Sequence, residues 1–564
     1  MLQQGQLKSV AGPLRYSPDA YVARSAELEA RIRDSGALQL ARSMIADRQQ
    51  DWTALLQELI RIPSFFEAEH AIVHRVCEHV AAIGLSPILV PMDASALRRH
   101  AEAVEPISDV PGRNNIIVRL PGKGGGRSII FNCHLDTQPE GDAGQWTHPP
   151  NSGEIDAQAN TIYGRGAVDD KAGVAMCLGL MRVIVERQLR FDGDLIFQFV
   201  LEDEITGNGT LACLEAGPVA DAAIILDGTR PNHAIDQHAG NMEFRLSLAG
   251  RPASASVSHL GANAAELLSH MLQHLHDSFH RLNDAREPPW TEFPSPFQFI
   301  VHGMHADAAR FSLPVEASAR CFVTFPPPFT IDSVRAVLAA EGRACAQARN
   351  HPHLPVFVWE GFAAEPVCCA TNELRTLVRD AASRNGIPAV RIGPSTGSSD
   401  MRHFARRAIP CLLYGPGRGF NPHRPDEYFL LDDLPFMMKV YLDMIVEWCN
   451  VARGDRSSET IRNPNEQVRS IGEHAVLEIG VDRITLDHER DRRPGGGTDP
   501  VAAVVGESAV SHGHHDNAAC AVRLHAIGIG GDSAVADDND GFSPHGRLRH
   551  DSTARRGGMP LAVM

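Results

Sequence analysis

The feature that most constrains this chain is a short apolar run ending in ionisable residues, and it recurs. Ser128-Ile129-Ile130-Phe131 leads into Asn132-Cys133-His134-Leu135-Asp136-Thr137, Leu195 to Leu201 leads into Glu202-Asp203-Glu204, and Ala222-Ala223-Ile224-Ile225-Leu226 ends in Asp227-Gly228. Runs of this length without alternation read as strands covered on both faces. Helical spacing lies between them, at Trp52, Leu55, Leu56, Leu59 and Ile60 and again from Val174 to Val185. That succession predicts an α/β domain with a mainly parallel sheet, whose active residues belong at the strand ends.

Each strand end has more than one reading. A carboxylate two residues after a histidine can hydrogen-bond its second ring nitrogen, so Asp136 could hold His134 in the tautomer of a metal ligand. A histidine merely satisfied by a nearby aspartate fits the same residues. Gly164-Arg165-Gly166-Ala167-Val168-Asp169-Asp170-Lys171-Ala172-Gly173 is a glycine-rich turn with two aspartates near a helix start, where the dipole favours negative charge. Its glycine spacing matches neither nucleotide-binding motif. The carboxylates of Glu202, Asp203 and Glu204 repel one another unless a cation or solvent compensates. On an extended chain neighbours alternate sides, so Glu202 and Glu204 are expected to face alike, away from Asp203. Later, Ala408 to Tyr414 reads as a strand running into Gly415-Pro416-Gly417, with His423 following Phe420-Asn421-Pro422.

At 564 residues the chain exceeds what one core can serve. From about His238 the texture changes: Met242 to Leu248 alternates, Ala264 to Leu282 is helical, Ala317 to Phe325 alternates, Ile331 to Ala348 is helical, and Pro355 to Trp359 is strand-like. Strand, helix, strand, strand, helix, strand describes a small ferredoxin-like α+β domain inserted in the larger one. The expected division is an N-terminal arm over 1–45, a catalytic domain over 46–238 and 363–454, the inserted domain over 239–362, and a tail over 455–564. The tail is rich in Gly, Asp, Arg, Ser and His and offers no sustained apolar face, which predicts disorder. Its Ser511-His512-Gly513-His514-His515 cluster reads as a solvated patch before it reads as a metal site.

A formal charge of -16 with no basic stripe argues against a nucleic-acid partner. The eleven cysteines show no paired spacing, and Met1-Leu2-Gln3-Gln4-Gly5-Gln6 lacks the apolar core of a signal peptide, so a cytoplasmic, reducing location is expected. No run of about 18 apolar residues predicts a membrane span.

Taken in order, the histidine with its aspartate, the Gly-Arg-Gly-Ala-x-Asp-x-Lys segment, the carboxylate triplet, the acid-tipped strand and the late histidine resemble the co-catalytic zinc aminoacylase and carboxypeptidase family. That family includes acetylornithine deacetylase, succinyl-diaminopimelate desuccinylase, carboxypeptidase G and aminoacylase-1. The resemblance covers roughly residues 50 to 450. It implies a zinc-peptidase-like catalytic domain with the insert as lid and dimerisation domain, hence a homodimer. It also implies two divalent metal ions, zinc first with cobalt or manganese as alternatives. By resemblance His134 and Asp227 bind one ion, His423 and Glu204 the other, and Asp169 bridges them. Asp136 orients His134, and the peptide between Asp169 and Asp170 is cis. The implied activity is hydrolysis of amide bonds in N-acyl amino acids or small dipeptide-like substrates. Arg402 is a candidate for the substrate carboxylate, with a surface ion pair as the alternative.

Two positions depart from the family pattern. The general base there is a glutamate, and here that place is Asp203, shorter by about one C–C bond, ~1.5 Å. The family's lid histidine, which stabilises the oxyanion in the partner subunit's site, aligns with Ser254. Losing one oxyanion donor costs on the order of a hundredfold or more in rate. His259 replaces it only if the loop is rearranged. Together these departures motivate an alternative reading, a metal-retaining binding protein with weak or lost hydrolysis.

Overall fold

The structure, a computed structural model, describes residues 36–450 apart from 218 and 420. The arm before Gly36, the tail expected over 455–564 and its histidine cluster lie outside the described residues.

The nine-stranded central sheet runs, in spatial order, Ile88–Pro91, Asn114–Leu120, Leu195–Val200, Ile129–His134, Ala222–Ile225, Cys411–Leu413, His233–His238 and Val367–Cys368, with Arg391–Ser395 also paired to His233–His238. At its centre Leu195–Val200, Ile129–His134, Ala222–Ile225 and Cys411–Leu413 are parallel. Antiparallel strands flank them. Side chains alternate across a strand, and here both faces are apolar. Ile129, Phe131, Cys133 and Phe197 enter one core while Ile130, Ile196 and Val200 enter the other. The first core is closed by the helices Gln49–Ile60, Lys171–Glu186 and Asp433–Cys449. Phe131 meets Phe197 at 5.9 Å and Tyr441 at 5.7 Å between ring centroids.

The inserted unit is a second sheet in the order Gln298–Ala306, Glu316–Phe325, Gly240–Ala249, Val356–Val358, backed by the helices Ala264–Asp284 and Ile331–Ala348. The first of these helices turns Leu268, Met271, Leu272, Leu275 and Phe279 inward at three- and four-residue steps, and Asn263 caps it by accepting from Ala265 N at 3.0 Å. Alternation in the sequence does not pick out Gln298–Ala306, because it is an edge strand with most positions exposed. A small third sheet pairs Tyr428–Leu430 with Thr161–Tyr163 and then Glu154–Asp156. It brings the segment after His423 against the glycine-rich turn, where Gly164 N donates to the Glu427 carbonyl at 2.9 Å.

Candidate metal centre

Because three central strands are parallel, their C-terminal ends share one edge, and His134, Asp203, Glu204 and Asp227 emerge there. Asp169 arrives from the turn before the helix Lys171–Glu186, and His423 from a residue with φ +63°. Asp169 faces both histidines: Oδ1 lies 2.9 Å from His134 Nε2, and Oδ2 lies 3.0 Å from His423 Nε2. Glu204 Oε2 stands 2.9 Å from the same His423 nitrogen. His134, Asp169 and Asp227 form one group, and Asp169, Glu204 and His423 another, each with its ligand atoms within 4.8 Å of one another. The Asp169–Asp170 peptide is cis, as the resemblance implied.

The electrostatics suit a cation. Burial pushes Asp227 up to about 7, with the neighbouring Asp169 charge adding to it. Burial likewise raises Asp203 and Glu204. His423 is driven up to about 10 by its hydrogen bonds to Asp169 and Glu204. His423 Nε2 thus faces the same carboxylate oxygens that a divalent cation would draw on. Two imidazoles and three carboxylates, one of them common to both groups, are a donor set that fits a pair of divalent ions.

Asp136 acts on this site in two ways. His134 Nδ1 lies 2.9 Å from the Asp136 carbonyl and 3.6 Å from its carboxylate, so the backbone oxygen is the nearer partner that frees Nε2 for a metal. The carboxylate instead accepts from Asp203 N at 3.3 Å and Glu204 N at 3.2 Å. One residue thus aligns the histidine and the acidic turn.

The expected facing of that turn is corrected. Glu202 has φ +67° and is buried against Arg113, so it points away while Asp203 and Glu204 both face the histidines. The strand ends at Val200, and the alternation of an extended chain does not survive a left-handed residue. Asp203 Oδ2 stands 4.0 Å from His134 Nε2. Arg402 is not a surface residue. It is buried, donates from Nη2 to the Thr206 carbonyl and from Nη1 to the Ser399 carbonyl at 3.4 Å, and packs over the Phe362 ring. Ser254 and His259 stand exposed on the lid, where Ser254 Oγ shares a 3.1 Å hydrogen bond with Ser256 Oγ. Among the described residues neither contacts the converging side chains.

Sequence reasoning passed over Glu427 and Gln138. Fully buried, Glu427 accepts from Arg165 Nη1 at 2.8 Å and from the N–H groups of Gly166 (3.1 Å), Val168 (3.1 Å) and Asp169 (3.2 Å). Burial and the Asp169 charge push it up to about 7. Its place four residues after His423 was the available signal. Gln138 Nε2 donates to both the carbonyl and Oε2 of Glu204, each at 3.2 Å. In Glu427→Gln an amide NH₂ would face two of the four donors. The expected outcome is a loss of about 1–3 kcal/mol in chemical denaturation together with weaker metal retention in dialysis. Unchanged stability and metal content would mean that the turn carrying Asp169 holds itself.

The model of peptidase family M20/M25/M40 matches residues 130–447. An N-formyl-4-amino-5-aminomethyl-2-methylpyrimidine deformylase of Halalkalibacterium halodurans is 26% identical over 372 residues, 61% of this chain and 84% of the relative. Among solved structures, a di-peptidase of Saccharomyces cerevisiae aligns with a TM-score of 0.56 at 15% identity, covering 73% of this chain and 99% of that one. A dinuclear metal-binding peptidase of Bacillus subtilis aligns with a TM-score of 0.52 at 15% identity, covering 72% of this chain and 99% of that one. At such identities the solved structures bear on the fold.

Proposed function

Because the chain belongs to peptidase family M20/M25/M40 and is a metal-dependent hydrolase of amide bonds, we propose that it removes an acyl group from small N-acylated amines, N-acyl amino acids foremost, or cleaves a dipeptide-like amide. The observation that carries this reading is the pair of ligand groups sharing Asp169, with the Asp203 carboxylate beside them. His134 and Asp227 would hold one ion, His423 and Glu204 the other, with Asp169 common to both. The mixed N/O set suits zinc, with cobalt or manganese able to take its place. Two such ions supply Lewis acidity to an amide carbonyl and make water available as a nucleophile near neutral pH. Asp203 takes the proton of the attacking water on its carboxylate and returns it to the departing amine. Asp136 keeps His134 and the backbone of Asp203 in register for that transfer.

The relative named for deformylation supports a small N-acylated amine as the substrate class. The test is amine release by the zinc-, cobalt- or manganese-loaded protein from a panel of N-formyl and N-acetyl amino acids, N-formyl aminomethylpyrimidine and dipeptides. Absence of metal-dependent turnover with every member would sink the reading and leave the binding-protein alternative.

A homodimer through the lid belongs to the same proposal. Gln298–Ala306 is paired on one side only among the described residues, and it exposes Ile300, Val301 and Met304 at 40%, 38% and 56%. An unpaired apolar edge is a surface that proteins cover. Val301→Lys with Met304→Lys is expected to convert dimer to monomer in light scattering, and a wild type already monomeric at micromolar concentration would refute the dimer. Among the described residues no helix is long and apolar enough to cross a membrane. The cysteines there are free and mostly buried, as a reducing setting keeps them, and a cytoplasmic location is proposed on that ground.

A further inference from the structure

The turn over residues 202–207 carries Asp203 and Glu204, and a buried arginine holds it at each end. At the first end Arg113 donates from Nη1 to Glu202 Oε1 at 2.5 Å, from Nη2 to Glu69 Oε1 at 2.5 Å and from Nε to Glu69 Oε2 at 3.1 Å. All three residues are at most 5% exposed, and the guanidinium lies over the Phe66 ring at 4.7 Å. The other oxygen of Glu202 accepts from Thr206 Oγ1 at 2.6 Å, and its carbonyl accepts from the N–H groups of Thr206 (2.8 Å) and Gly207 (2.6 Å). At the far end Arg402 Nη2 donates to the Thr206 carbonyl, beside Gly207 at φ +69°. A Cβ at Gly207 would fall 2.1 Å from Asp400 Oδ1 and 2.4 Å from Arg402 Nη2, so the arginine and the turn are in direct packing contact.

This is more fixation than a solvated acidic turn needs. A doubly paired buried arginine is costly to desolvate and leaves little positional freedom when satisfied. Asp203 lacks the reach of a glutamate, so the placement of its carboxylate depends on where the turn holds its Cα. We propose that Arg113, oriented by Glu69, and Arg402 are positioning residues that set the reach of Asp203, and with it the seat of Glu204. Arg402 then serves the turn. The inference rests on the proposed roles of Asp203 and Glu204.

The test is Arg113→Lys, which keeps the charge and loses the fork, read by two measurements on the protein loaded with two equivalents of cobalt. The ligand-field absorption bands report the seat of Glu204 without any turnover. They are expected to shift in position or intensity while both equivalents are retained. In the kinetic arm kcat is expected to fall between about tenfold and a hundredfold, with KM within about threefold. Adding Asp203→Glu should then recover more kcat in Arg113→Lys than the same change gains in the wild type, because the longer side chain offsets a slack turn. Unchanged bands with unchanged kcat would overturn the inference, and so would an equal factor from Asp203→Glu in both backgrounds. If Arg113→Lys does not fold, Glu202→Gln, which keeps size and the Oε1 acceptor, is read in the same way. If the wild type turns over no substrate, the catalytic role of Asp203 fails and the cobalt bands alone decide for or against the clamp.

Discussion

Asp169→Asn is expected to strip the protein of both metal equivalents, whereas Asp227→Asn and His423→Ala each remove about one. The asymmetry follows from geometry. Asp169 is the residue common to both ligand groups, with Oδ1 2.9 Å from His134 Nε2 and Oδ2 3.0 Å from His423 Nε2. An amide keeps one acceptor oxygen but no charge and presents an NH₂ to the other site, so one group meets a donor where it needs an anion and the other loses the negative charge that both ions would share. The loss of rate should be among the largest of the single changes here. Two ions contribute several kcal/mol of transition-state stabilisation, so at least on the order of a thousandfold in kcat/KM is expected. Elemental analysis after gel filtration, alongside the substrate panel, checks both halves. Two retained equivalents with near-normal turnover would remove Asp169 from the bridging role.

What the sequence made legible was the strand ends. His134, Glu204 and Asp227 each follow an apolar run, and parallel pairing carries those ends to one edge without further information. Asp169 and His423 lie in loops, and only the order of motifs pointed to them. Glu202 shows where the reading had to fail. Its neighbours were assigned by strand alternation, yet the strand stops at Val200 and φ at Glu202 is +67°. What makes that conformation tenable is Arg113, 89 positions away in the chain, with Glu69 behind it. A contact of that separation leaves no local pattern. Arg402 was open between recognition of a substrate carboxylate and a surface ion pair, and its burial against Thr206 and Phe362 removes the second. The lid edge Gln298–Ala306 went unassigned because a strand exposed at most positions has no hydrophobic period to read.

On the proposed reading Ser254 and Asp203 together set how much chemistry the centre does, and they are separable. On the lid, Ser254 pairs with Ser256 and is out of contact with the ligand groups among the described residues, so its consequences depend on a partner subunit or on lid movement. Asp203 is already in place, and its variants can be read in a single chain.

Asp203→Asn is expected to lower kcat between about a hundredfold and ten-thousandfold while leaving both metal equivalents bound. The amide has the shape of the carboxylate and can neither take the proton of water nor return it to an amine. The same substitution should leave the metal-free protein at least as resistant to heat as the wild type. Burial and then the Asp400 charge raise the folded-state pKa of Asp203. A carboxyl whose pKa is raised on folding begins to cost stability as pH rises past its unfolded pKa and costs the full amount above its folded pKa, because the unfolded chain ionises it more easily; below its unfolded pKa that cost is absent. At alkaline pH the amide therefore removes a penalty, and the gain in Tm over the wild type should shrink as pH falls through the folded pKa. Activity and metal-free stability thus move in opposite directions, as for a group kept for chemistry at the expense of the fold. Thermal denaturation of the apoprotein at several pH values, with kcat of the loaded enzyme beside it, separates the possibilities. A variant that loses Tm in step with kcat would make Asp203 a structural residue of its turn, and one that keeps kcat would return the proton transfer to another group.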